Sequence, residues 1–223
     1  MRYRNLLIFS ALTLAVACGG GPSRPQPLKT TVDDMYLASV SLDEKQGVLK
    51  AQNDFAAAKM EYANAKNKQQ EARKEIKVAK NELKAAKLDR SSAKHQQQDA
   101  KRKASTAEMK SADRQLKIAD AKVDAAKQKI GAWKQYKKAY KKKSFWAEEQ
   151  MYAAEARYEL AKARLAKQKG ISPPGFDFAK FEKQAKDRSR RAQKRKVGAD
   201  KALAKAKRTW EKYKSSEAKA AKA

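Results

Sequence analysis

From residue 48 onward, small and apolar side chains return every seven positions. Ala stands at 51, 58, 65, 72, 79, 86, 93, 100 and 107 without a miss. Only fourteen of the sixty residues from 48 to 107 are Ala, so nine consecutive hits are not an accident of composition. A companion column runs through Val48, Phe55, Tyr62, Gln69, Ile76, Leu83, Arg90, Gln97 and Ala104. Together these are the two core columns of a coiled-coil heptad. Ala at every second core site lets a partner helix come close. Gln69, Arg90 and Gln97 weaken the seam toward its far end, while polar core residues can set register.

A second seam follows. Its large positions are Met109, Leu116, Val123, Ile130, Met151, Tyr158 and Leu165, and its small ones are Ala112, Ala119, Ala126, Ala147, Ala154 and Ala161. Lys137 and Ser144 interrupt the first column; Trp133 and Tyr140 replace Ala in the second. The seams do not join in phase, because Ala107 to Ala112 is five residues. Two missing residues turn the stripe by about 200°, and one partner helix could not follow that jump. Ser105-Thr106-Ala107-Glu108 matches a capping box. A turn near 105 would explain both facts and give arms 33–104 and 106–169. With neither Gly nor Pro there, a continuous rod of about 200 Å that changes partners stays open.

Gly170-Ile171-Ser172-Pro173-Pro174-Gly175 is a helix stop followed by two prolines. Residues 176–214 then read as a return helix, with Phe178, Phe181, Ala185, Ala192, Ala199, Leu203, Ala206, Trp210 and Tyr213 on its apolar side. Arg188 and Arg195 fall in the same rows, and Val197-Gly198 is a soft point. Short loops imply antiparallel neighbours. Folding about residue 172 places Leu165 near Phe181, and Trp133 and Tyr136 near Trp210 and Tyr213. Those aromatics are expected to form the tightest local core. Residues 215–223 are expected to fray. At the other end, Thr31-Val32-Asp33-Asp34 predicts a helix start, with Thr31 as cap and two acids at the positive end of the dipole. The fold class is all-α: long antiparallel coiled-coil helices, as a helical hairpin or a three-helix array, on a flexible N-terminal tether. The units are 1–17, 18–30, 31–169, 170–175, 176–214 and 215–223.

Composition agrees. Mean hydropathy is −0.93, and 41% of residues are hydrophobic, many of them Ala. A chain rich in Ala, Lys, Glu and Gln with few breakers belongs to the long-helix class. A compact globule with a large core is not expected, since Ala brings little area and burial stabilises by only about 25 cal/mol per Å².

The first residues are of another kind. Arg2 and Arg4 precede an apolar run over 6–16, and small residues follow. This is the plan of a secretory signal. This run of eleven residues falls short of the roughly 20 that a spanning helix needs. Ala15-Val16-Ala17-Cys18 resembles the bacterial lipobox. That resemblance implies cleavage before Cys18, a thioether diacylglycerol on its sulfur and an acyl group on its new amine, with no other cofactor. Two or more buried chains hold durably where one does not. Cys18 is the single Cys, so no internal disulfide can form. Gly19, where Asp would imply inner-membrane retention in Gram-negative systems, implies the outer membrane in such a system; the expected location is lipid-anchored there and facing the periplasm, with surface exposure left open. Residues 19–27 are Gly/Pro-rich and read as a tether.

Net formal charge is +29, and +27 once residues 1–17, with their two arginines, are removed. Fifty-four cations against 25 acids cannot be balanced internally, so anions are expected nearby. The densest groups are Lys137, Lys138, Lys141, Lys142 and Lys143, and Arg188, Arg190, Arg191, Lys194, Arg195 and Lys196. They are interleaved with Trp133, Tyr136, Tyr140, Phe145 and Trp146. These are the candidate polyanion-binding residues. The bland alternative is a solvated basic coiled coil.

Catalytic signals are missing from the sequence. His95 is the single His and sits beside Gln96, Gln97 and Gln98, so it reads as helix surface. One His and one acylated Cys cannot assemble a Cys/His zinc site. Glu148-Glu149 also reads as solvated surface, because neighbours on a helix point about 100° apart. The expectation is a non-enzymatic, lipid-anchored helical spacer of the bacterial envelope that touches anionic wall polymer or lipid headgroups. In plan it resembles the murein-lipoprotein type: lipid, tether, heptad helix, basic end. That family is shorter, trimeric and ends on lysine, whereas Ala223 follows Lys222 here; its covalent wall linkage is not carried over. The alternative is an accessory coiled-coil subunit of an efflux or motility complex, or a homo-oligomer. A nucleic-acid partner is suggested only by likeness of Lys201 to Lys207 and the Ala/Lys tail to linker-histone tails, and an export signal separates the protein from the chromosome.

Overall fold

The computed structural model describes residues 24–173 and 175–222. It is all-helical: α1 spans Gln46–Arg102, α2 Thr106–Gln168 and α3 Phe178–Lys222, with one 3-10 turn at Asp34–Leu37. At 1.5 Å per residue these helices are about 85, 95 and 68 Å long. α2 is the middle helix. α1 packs antiparallel along one side of it and α3 along the other, and among the described residues the backbones of α1 and α3 do not meet.

The hairpin, not the rod, is the arrangement at residue 105. Ser105 is the N-cap of α2, and its hydroxyl accepts the Glu108 N–H at 3.3 Å. α1 ends on Arg102 with no Gly at hand, so Ala104 itself takes the left-handed conformation, φ 53°. That is costly for a residue with a Cβ, by about 1–2 kcal/mol. The phase break has this cause: the second seam lies on a second helix. Ala58 through Ala100 are buried, whereas Ala107, the ninth hit, lies past the turn and is exposed. Arg90 and Gln97, expected to weaken the seam, bond across it to Asp120 and Asp113 and so lock register.

The other turn works by different chemistry. Gly170 at φ +69° ends α2 with its N–H donated to Lys167 O, while the Ile171 N–H reaches back to Ala166 O at 2.9 Å. This is the Schellman pairing that glycine permits. Ile171 then packs with Leu37, Val40, Val48 and Leu165. Phe181 meets Ala163 and Val32 instead of Leu165, which faces the α1 side. Trp133 and Tyr136 do reach Trp210, with ring centroids 5.0 and 5.8 Å apart, and Trp210 reaches Tyr213 at 5.0 Å. Of these four only Tyr213 is fully buried, so the aromatics are a half-open patch, and clusters of larger buried apolar side chains sit at the 170–175 end.

Three boundaries differ from expectation. Thr31 caps no helix; Asp33 caps the short 3-10 turn, and α1 begins at Gln46. α3 continues unbroken through Val197-Gly198 and through 215 to Lys222, because Tyr213, Ser216 and Ala220 still lie against its neighbours. The segment expected to be tether is already docked from Arg24 onward.

Candidate functional site

Residues 24–33 form an extended strap in the groove between α2 and α3. Pro25 and Pro27 favour an extended backbone and bring no N–H. The strap's remaining peptide groups need partners, and side chains of the two helices supply them. Arg24 Nε donates to Glu148 Oε1 at 2.9 Å. Arg188 donates through one amino group to Gln26 O at 2.6 Å and to Pro27 O at 3.1 Å, and through the other to Glu149 at 3.0 Å. Gln184 reads the Thr30 peptide from both sides: its amide N donates to Thr30 O at 2.8 Å, and its carbonyl accepts the Thr30 N–H at 3.2 Å. The Val32 N–H donates to Glu159 at 2.6 Å, and Lys162 Nζ donates to Val32 O at 2.7 Å. Lys162 also pairs with Glu159 and Asp34 at 2.8 and 3.0 Å.

This latch is built from buried charge. Glu148 and Glu149 are 2% and 1% exposed, and Lys162 is 4% exposed. The solvated-surface reading of Glu148-Glu149 is therefore wrong. α2 is buried on two sides, and adjacent residues about 100° apart can both be covered when one helix packs on each side. Burial works against the Lys162 ammonium, but hydrogen bonds to Glu159 and Asp34 outweigh it and hold its pKa above the usual lysine value. Glu155, on the same stretch, has its pKa raised, first by burial and then by neighbouring Glu159.

The candidate basic residues divide. Lys137, Lys138, Lys141, Lys142, Arg190, Arg191, Lys194 and Lys196 are exposed, and Lys143 is half-buried. Arg188 is 8% exposed and is consumed by Glu149 and the strap, so it leaves the basic surface. Arg195 is half-buried, with its Nε 3.4 Å from Glu149. A signal for this was present in the sequence: both arginines fall in the apolar rows of α3. Glu159, Lys162 and Gln184 gave no such signal, because only a third element, the strap, makes them internal. Cys18 and the apolar run before it lie outside the described residues.

Among the described residues, no group of three or more His, Cys, Asp or Glu is placed to hold a metal ion. Among them, too, no helix is long and apolar enough to cross a membrane. One groove, between the three helices, is lined by Glu82, Asp89, Lys122, Lys129, Tyr213 and Glu217, and another opens between the strap at Arg24, Pro25 and Gln26 and α3. Compared with protein-family models, curated proteins and solved structures, the chain matches none.

Proposed function

We propose that the protein is a non-enzymatic helical spacer of the bacterial envelope, acylated at Cys18 and held by that lipid at the outer membrane, facing the periplasm. The observation that carries this reading is the Ala15-Val16-Ala17-Cys18 box behind a short apolar run. The fold supports it in a specific way. Six residues after Cys18 the chain is already latched to α2 at Glu148, so a pull on the lipid would be borne by the buried charges of the helical body. Basic residues on the outer faces, Lys137, Lys138, Lys141 and Lys142 among them, would meet anionic polymer or headgroups.

The test is fatty-acid labelling and fractionation of wild type against Cys18→Ser, with protease access on intact cells. Labelling and membrane retention should both be lost in the variant. Unchanged labelling would refute the anchor. A second reading, an accessory subunit, draws on the turn end of the hairpin, where α1 and α2 bond to each other through Gln97 and Asp113 and through Lys103 and Glu108. Stoichiometric recovery with an envelope complex that is lost on altering residues 91–115 would favour it.

A further inference from the structure

We propose that the strap exit and two cationic columns of α3 form a side-on docking surface for an anionic lipid bilayer. The anchor position comes first, and for it the inference rests on acylation of Cys18. The strap enters the helical body at Glu148, twenty residues before the end of α2. That point is about 30 Å from the 170–175 end and over 60 Å from the 103–105 turn, at 1.5 Å per residue. Residues 18 to 24 can span about 20 Å when fully extended. Neither end of the array can stand on the bilayer under that leash, so the long flank must lie near it.

The strap runs along α3, held by Gln184 and Arg188, and that helix carries a cationic flank. On α3, Ala185, Ala192, Ala199, Ala206 and Tyr213 face α2. Arg188 and Arg195 form the next column, on the strap side. One column further round, Arg191, Gly198, Lys205, Lys212 and Lys219 follow at seven-residue spacing, and beside them Lys194, Lys201 and Arg208. These seven cations are all exposed, and no carboxylate interrupts either column from 188 to 222. The acids of that stretch, Asp200, Glu211 and Glu217, lie in other columns. Among the described residues, none of the seven cations has a carboxylate within 4.0 Å. The columns extend for about 42 Å along the axis. A bilayer bearing phosphate charge is the extended anionic surface that matches such a row. Each cation near it gains about 1 kcal/mol, close to fivefold in occupancy. The attraction falls off over about 8 Å at physiological salt, so only the facing columns count.

The native protein would be reconstituted into phosphatidylcholine vesicles, and into the same vesicles with one third phosphatidylglycerol. Lysine footprinting with a water-soluble acylating reagent reads the face. Residence on pure phosphatidylcholine tests the lipid anchor alone; release from it would sink the Cys18 reading independently of the face. With phosphatidylglycerol present, Lys194, Lys201, Lys205, Lys212 and Lys219 should react at least fivefold more slowly, while Lys74, Lys77 and Lys84 on the outer side of α1 keep their rates. Lys205→Gln with Lys212→Gln and Lys219→Gln should restore the rates at Lys194 and Lys201. Equal rates in the two vesicles, or equal protection of α1, would overturn the proposal. So would protection that needs wall polymer or nucleic acid added to neutral vesicles.

Discussion

Replacing Arg188 by Met tests whether the buried latch holds the strap. The guanidinium links Glu149, at 3.0 Å, with the carbonyls of Gln26 and Pro27. Met keeps much of the volume but leaves the 1%-exposed Glu149 short of its main partner. Removing one member of a buried pair costs about 3–5 kcal/mol. Arg195, still 3.4 Å from Glu149, places the expected loss at the lower end. A loss of about 3 kcal/mol corresponds to a melting temperature lowered by about 6–12 °C in a chain of this size. Removing both charges, as Arg188→Met with Glu149→Leu, should recover most of that loss, since a well-packed apolar pair can replace a buried ion pair at little cost. Circular dichroism with heat and urea measures the global term. Trypsin cleavage after Lys29, which precedes Thr30, measures the strap, and it should accelerate in both variants because both lose the donor to Gln26 and Pro27. A single variant within 1 kcal/mol of wild type with unchanged strap cleavage would refute this account of the latch.

Other expectations follow from particular positions. Ala104→Gly should raise stability by about 0.5–1 kcal/mol, because glycine relieves the left-handed φ of 53° at the hairpin turn while losing more chain entropy; a lower urea midpoint would contradict it. Glu155→Gln should stabilise at neutral pH. Burial raises the Glu155 pKa, so the native state binds its proton more tightly than the unfolded chain; the resulting stabilisation is present below the unfolded pKa of about 4.3 and lost as pH rises through the folded value. The gap between variant and wild type should therefore be seen at pH 7 and close below about pH 4; an equal gap at both would be inconsistent. Cys18→Ser should remove fatty-acid label and free the protein from membranes, and neutralising the α3 columns should expose their lysines on anionic vesicles, each read as described above.

Several elements were legible in the residues themselves because their causes are local. Ser105-Thr106-Ala107-Glu108 carries its own cap, and Gly170 followed by prolines carries its own stop. The unbroken Ala58 to Ala100 column fixes the face α1 buries, since heptad spacing alone brings those positions to one side. Trp133 and Trp210 could be brought together by counting outward from the 170–175 turn.

Tertiary structure decided what no local pattern holds. Ala104 could be identified as a turn residue only after α2 doubled back, because nothing in its identity favours the left-handed region. Glu159 and Lys162 have the composition of a wet surface, and they became internal because a strap more than a hundred residues away in sequence fills the groove above them, while Glu148 and Glu149 are covered because α2 has a helix on each of two sides. Burial of a charge depends on what covers it, and the cover here is non-local. Periodicity along one helix determined which face turns inward. Whether the charges beside that face meet water or a neighbouring segment was settled by the path of the chain in space.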